Sequence, residues 1–243
     1  MTRREVILRE MGLTPIWVNR ASVADAHAAE LPAPVVFAVP EPAREPAQSP
    51  ADREASIANL SWDELIASIA TCTACKLCTT RTNTVPGVGD RSPSWMVIGE
   101  APGENEDKQG EPFVGKAGQL LDAMLVAIGK KRGDGVYIAN VIKCRPPGNR
   151  NPESDEIAAC APYLNRQIAL AQPKLLLASG KFAAQTLLDC DDTVGAMRAL
   201  PAASSQRDGV PVVVTYHPSY LLRSPLEKAK AWDDLMKAKA LVA

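Results

Sequence analysis

The chain has 243 residues, 46% of them hydrophobic, with a formal net charge of -1. That is enough apolar material for one substantial core plus an appendage, and the near-zero charge excludes bulk electrostatic attraction to nucleic acid, so any DNA contact must come from a local patch. No apolar run reaches bilayer-spanning length and the start, MTRREVILRE, is too charged for a signal peptide's apolar core, so a cytoplasmic protein without membrane contact is expected.

In chain order, VILREMGLTPIWV predicts one short helix or a segment docked on the body, because Ile16, Trp17 and Val18 would be odd if wholly solvated. Residues 22–54 are rich in Ala, Pro and acidic or small residues without helical or strand periodicity. They read as a linker, which makes residues 1–54 a largely disordered extension and residues 55–243 the folded domain. From Ile57 onward helical patterns alternate with short apolar runs, the pattern of an α/β domain with a parallel sheet. Strands are predicted at Trp95–Gly99, Val136–Val141, Lys174–Ala178 and Pro211–Tyr216. Helices are predicted at Trp62–Ala70, Ala117–Ile128, Glu153–Ala171, Lys181–Leu188 and Leu226–Leu241, with Ser61 and Ser154 as N-terminal caps. In such sheets ligands sit outside the carboxyl ends of the strands. Four segments should therefore converge there: GEAPG, NVIKCRPP, SGK and HPSYLLR.

Six cysteines are too few for a secreted disulfide scaffold, and five fall between Cys72 and Cys160. Cys72, Cys75 and Cys78 form C-x2-C-x2-C, while Cys144 follows a strand and Cys160 lies in a predicted helix. Thiolates at that spacing can converge on a metal. The triplet imitates the start of a ferredoxin run but lacks the fourth Cys followed by Pro. A redox pair opening a helix has no preceding strand here. Spacing alone leaves an iron–sulfur cluster, a four-cysteine zinc and ordinary core cysteines open, and Cys190 reads as a core residue.

His27 lies in the linker, so His217 is the one histidine placed for chemistry. Pro218 and Ser219 turn the chain at a strand end and aim the ring toward the ligand side, although a buried, satisfied histidine fits equally well. Asn140 closes a strand and offers one donor and one acceptor to a flat heterocycle. GEAPGENEDKQGEPFVG contains Gly, acids and one aromatic, Phe113, but neither glycine-rich phosphate motif. Lys116 to Asn151 carries seven Lys or Arg against Asp122 and Asp134, a local net of +5. A solvated charged face is the plainer reading of that run.

GEAPG with EPFVG, then NVIKCRPP and NRNP, then HPSYLLR, in this order and spacing, resemble the iron–sulfur uracil-DNA glycosylases of family 4. The likeness runs from around Thr71 to the C-terminus. It implies a three-layer α/β/α sandwich with a central four-stranded parallel sheet, a monomer acting on uracil-containing DNA, single- or double-stranded, and base excision repair as the process. It implies a 4Fe–4S cluster held by Cys72, Cys75, Cys144 and Cys160, structural in its work, with Cys78 left out. A related group captures uracil covalently through a histidine in the basic loop, and no histidine stands between Asn140 and Cys160 here, so turnover is expected.

By the same resemblance, the deoxyuridine is flipped out of the stack. Phe113 stacks on the uracil, and the Asn140 amide donates to O4 and accepts from N3–H. His217 donates to charge developing on O2, with help from the amides of Glu100 and Ala101. The Glu100 carboxylate positions water or stabilises the sugar cation, because Ala101 stands where family 1 enzymes carry an aspartate base. Glu106 crowds the uracil C5 position against thymine. Ser219 and Arg223 bind phosphates, and Leu221 or Leu222 fills the gap left by the base. Two other classes remain in play on the residues alone: an iron–sulfur electron carrier, which predicts reversible redox, and a nucleotide-binding module, which predicts tight binding of a free nucleotide.

Overall fold

A computed structural model describes residues 3–10, 49–201 and 204–242. Ile16, Trp17 and Val18, and the expected linker as far as residue 48, lie outside them. Helix α1 (Arg3–Glu10) belongs to one unit, and residues Gln48–Ala243 form another.

In the second unit the elements follow as α2 (Pro50–Ala58), α3 (Trp62–Ala70), β1 (Val88–Gly89), β2 (Trp95–Gly99), α4 (Glu104–Gln109), α5 (Lys116–Ala127), β3 (Val136–Asn140), α6 (Ser154–Ala171), β4 (Leu175–Ser179), α7 (Lys181–Leu188), α8 (Val194–Ala199), β5 (Gln206–Arg207), β6 (Val210–Thr215), α9 (Pro218–Arg223) and α10 (Lys228–Leu241). Ser49 caps α2 through the Asp52 amide, so the expected boundary at 54/55 falls inside a formed helix. Ser61 caps α3 in a reciprocal box with Glu64, as its sequence suggests. At α6 the cap is Glu153, paired with Glu156, and Ser154 is the first helical residue. A carboxylate there accepts first-turn amides and meets the positive end of the helix.

The sheet has six strands in the order β1-β3-β2-β4-β6-β5. The four expected strands are its parallel centre, and β1 and β5 add antiparallel edges of two residues each. Every residue of β2, β3 and β4 is buried, as expected of strands covered on both faces. The period of two then assigns the faces. Met96, Ile98, Ala139, Leu176, Ala178 and Val214 pack with Leu164 and Ile168 of α6 and with Ala183, Ala184 and Leu187 of α7. Trp95, Val97, Ile138, Leu177 and Val213 pack with Leu121 and Leu125 of α5 and Leu235 of α10. A third cluster, Ile57, Leu65, Ile69 and Tyr163, seats α2 and α3 on α6. The three-layer α/β/α sandwich expected from the sequence is the observed architecture. Among the described residues no helix is long and apolar enough to cross a membrane.

Candidate active site

Parallel register brings Gly99, at the end of β2, beside Asn140, at the end of β3. Gly99 has to be glycine for reasons of space: a Cβ there would collide with Asn140 Oδ1 and lie 2.5 Å from Phe113 Cζ. The carboxamide and the aromatic ring thus flank one bare patch of backbone. The Phe113 ring in turn stacks on His217, with centroids 5.4 Å apart and planes inclined by 28°. Gly180, at φ +95 after β4, backs onto His217, whose Cβ is 3.0 Å from where a side chain would begin. Phe113, Asn140 and His217, separated by over a hundred residues of chain, therefore meet at the strand tips.

Asn140 Oδ1 is buried without a hydrogen-bond partner. Leaving such an acceptor unpaired costs about 1–3 kcal/mol, so the site is built to be completed by a donor. His217 Nδ1 accepts the Ser219 amide at 3.2 Å and lies 2.8 Å from the Ser219 hydroxyl. A backbone N–H can only donate, so Nδ1 is bare and the ring proton sits on Nε2. Burial, reinforced by the nearby Arg223 cation, holds the imidazole down to about 4. At neutral pH it is an uncharged donor.

Above this floor opens a cleft of about 220 Å³ whose walls include Glu100, Ala101, Arg150, His217, Ser219 and Arg223. Burial raises the Glu100 carboxyl above its ordinary value. Ser219 faces the imidazole with both hydroxyl and amide, so it holds His217 rather than standing free for a phosphate. Leu221 is 1% exposed and packs inward, which removes it as a wedge, whereas Leu222 is 44% exposed. Arg223 is exposed at the cleft. Glu106 Oε1 accepts the Val114 and Gly115 amides at 2.9 and 3.1 Å. Its carboxylate holds the Phe113 loop, and a guard over uracil C5 rests on the resemblance.

The basic run is largely spoken for. Lys143 is buried and donates to Asn140 O (2.6 Å) and Gln167 Oε1 (2.7 Å), Arg150 pairs with Glu156, and Lys130 reaches Ser94. It is not a uniform DNA patch, nor, with Lys143 buried, wholly the solvated face that is the plainer reading of its sequence.

A second site lies behind Lys143. Cys72, Cys75, Cys144 and Cys160 line one small cavity of about 20 Å³, and Cys78 is not among its walls. No three His, Cys, Asp or Glu side chains among the described residues are grouped closely enough to hold a single metal ion. Burial pushes the Cys160 thiol up to about 12 and raises Cys75 and Cys144. Thiolates there therefore need cationic partners, and the chain supplies three. Arg81 Nη1 lies 3.2 Å from Cys144 Sγ, Arg53 Nη2 lies 3.7 Å from Cys72 Sγ, and the Lys143 ammonium favours the Cys160 thiolate. The donor set fits a multi-metal group carried by four thiolates with net negative charge. None of these cations was legible as such: Arg53 falls in the stretch read as linker, Arg81 has no motif around it, and NVIKCRPP does not show that its Lys143 turns inward toward sulfur.

The family model described as the uracil DNA glycosylase superfamily matches residues 86–236, more than half of the chain and all four central strands. The chain belongs to the uracil-DNA glycosylase superfamily. Among curated relatives, a type-4 uracil-DNA glycosylase of Archaeoglobus fulgidus is 42% identical over 182 residues, covering 73% of this chain and 91% of the relative. One from Thermotoga maritima is 42% identical over 174 residues, 70% of this chain and 89% of that protein. A type-5 enzyme of Pyrobaculum aerophilum is more distant, 32% identical over 152 residues, 56% of this chain and 66% of the other. Within the superfamily, the chain is a member of the type-4 group.

Proposed function

We propose that this chain excises uracil from DNA by hydrolysing the bond between base and sugar, and that Phe113, Asn140 and His217 form its base pocket. The observation that carries the reading is their meeting around Gly99, with an unpartnered acceptor on Asn140 and an uncharged Nε2 donor on His217. Uracil stacked in a duplex exposes neither its pairing edge nor the sugar carbon, so the nucleotide must rotate out first. Phe113 then supplies an aromatic face that any base can use. Selection falls to Asn140, whose Oδ1 accepts uracil N3–H and whose NH2 donates to O4. Cytosine presents an acceptor at N3 and a donor at C4, mispairing both.

As the bond breaks, negative charge grows on the uracil and positive charge on the sugar. A neutral His217 hydrogen bond to O2 strengthens with that charge and carries no proton into the leaving group. Ser219 keeps the proton on the reacting side of the ring. Glu100, which lines the cleft with a carboxyl raised by burial, supports the reading in which it serves the sugar cation or its attacking water, Ala101 contributing no carboxylate. Arg223 at the cleft is suited to a backbone phosphate and the exposed Leu222 beside it to the gap the base leaves.

The four cavity thiols are suited to a 4Fe–4S cluster, with Arg53, Arg81 and Lys143 offsetting its charge. Cys72 and Cys75 of the turn after α3, Cys144 of the loop after β3 and Cys160 of α6 would hold such a cluster, whose work would be structural. Incubating the purified protein with a uracil-containing oligonucleotide and then alkali tests the activity directly. Strand cleavage at the uracil, absent with thymine in its place, is expected. An intact strand would refute the reading.

A further inference from the structure

Phe113 carries an unusual burden for its role. Its φ is +55, a left-handed conformation in which a bulky aromatic residue is strained. Something must hold it there, and the holders come from both sides of the peptide chain. On the amide side, Glu106 takes the Val114 and Gly115 N–H groups. On the carbonyl side, Arg132, from the loop between α5 and β3, donates from Nη1 to Pro112 O and from Nη2 to Phe113 O, both at 2.8 Å. Arg132 is itself anchored by Asp122 of α5, Nε to Oδ1 at 3.0 Å. Space is made by Gly118, where any Cβ would run into the Phe113 carbonyl oxygen. A planar guanidinium can span two successive carbonyls while bonding a carboxylate with its third edge, which a lysine ammonium cannot do in one fixed geometry.

We infer that Arg132, outside the cleft walls and assigned no role by its surroundings in sequence, is a positioning residue for uracil recognition. By pinning the strained 112–113 peptides it fixes the face that Phe113 turns toward Asn140 and His217. This rests on Phe113 being the uracil platform. Arg132 therefore acts through Phe113 and through nothing else in the pocket.

That claim is tested by inhibition of the enzyme with free uracil in a double-mutant cycle on the full chain. Base stacking on an aromatic side chain is worth enough that Phe113→Ala should weaken uracil inhibition about tenfold. Arg132→Ala should weaken it about fivefold, and the double variant should be no weaker than Phe113→Ala alone. Iron content should match the wild type throughout. Two losses that multiply in the double variant, or an Arg132→Ala enzyme with unchanged uracil inhibition, would overturn the inference while leaving the platform intact. Unchanged inhibition in Phe113→Ala would remove the platform itself and the inference with it. If Arg132→Ala does not fold, Asp122→Asn keeps the arginine but loosens it. It should weaken inhibition about twofold in the wild-type background and not at all with Phe113→Ala, and equal effects in both would overturn the inference.

Discussion

On the proposed reading, Asn140 discriminates between two bases that differ at one edge, and its burial gives that difference its size. A mismatched pair in a dry site leaves polar groups unsatisfied, which is far more costly than losing a contact in water. Asn140→Asp removes the donor to O4 and adds an acceptor. Uracil excision is expected to fall by about a hundredfold or more, with cytosine gaining relative to uracil in a paired single-turnover assay. Wild-type selectivity would contradict the assignment. His217 sets the acid limit. Its folded-state value near 4 lies below the ordinary 6.5 of an exposed histidine, so the unfolded chain binds the proton more readily. The stability contributed by the neutral ring is complete above about 6.5 and is lost as pH falls toward 4. The unfolding midpoint should drop over that window, and less so in His217→Asn. At this scale the sequence was informative wherever a residue sat at a strand tip, as Phe113's loop, Asn140 and His217 show. It could not choose between Leu221 and Leu222, because adjacent positions on a six-residue helix differ only in which face the packing takes.

Among the elements, α4 and α5 shape the pocket from outside it. Gly118 in the first turn of α5 would ordinarily gain about 1 kcal/mol of helix propensity on becoming alanine. Here the collision with the Phe113 carbonyl is larger, and overpacking of this kind costs about 1–3 kcal/mol. Gly118→Ala should therefore be less stable than the wild type in thermal unfolding, and poorer at binding uracil. Buried Asp107 of α4 accepts the Thr82 amide at 2.9 and 3.1 Å and the Asn83 amide at 3.3 Å. This fixes α4, and hence Glu106, against the segment that follows the 72–75 turn. Asp107→Ala should cost about 1–3 kcal/mol in denaturant unfolding, and no change would contradict that role. The long, strongly patterned elements were legible, with boundaries off by one or two residues. The edge strands β1 and β5 were not, because two residues carry no alternation to read. The short helices α4, α8 and α9 lack the length over which a 3.6-residue period emerges.

For the whole molecule, the uncertain step in the sequence was convergence. Four thiols spread from Cys72 to Cys160 line one cavity only because α3, β3 and α6 pack together. No spacing rule spans 87 residues of intervening chain. The resemblance supplied what spacing could not, and the cations Arg53, Arg81 and Lys143 became visible only in three dimensions. Cys160→Ser is expected to lose iron and the visible absorption that accompanies it, whereas Cys78→Ser should keep both. Iron retained by the first variant would exclude Cys160 as a ligand. The same convergence gathers the base pocket, whose Asn140 backbone carbonyl accepts from the Lys143 ammonium. The most direct test of that pocket is the single-turnover rate of abasic-site formation in one uracil-containing oligonucleotide, compared between the wild type and His217→Ala. A loss of about a hundredfold or more is expected if the neutral imidazole stabilises the departing uracil anion, and an unchanged rate would contradict it.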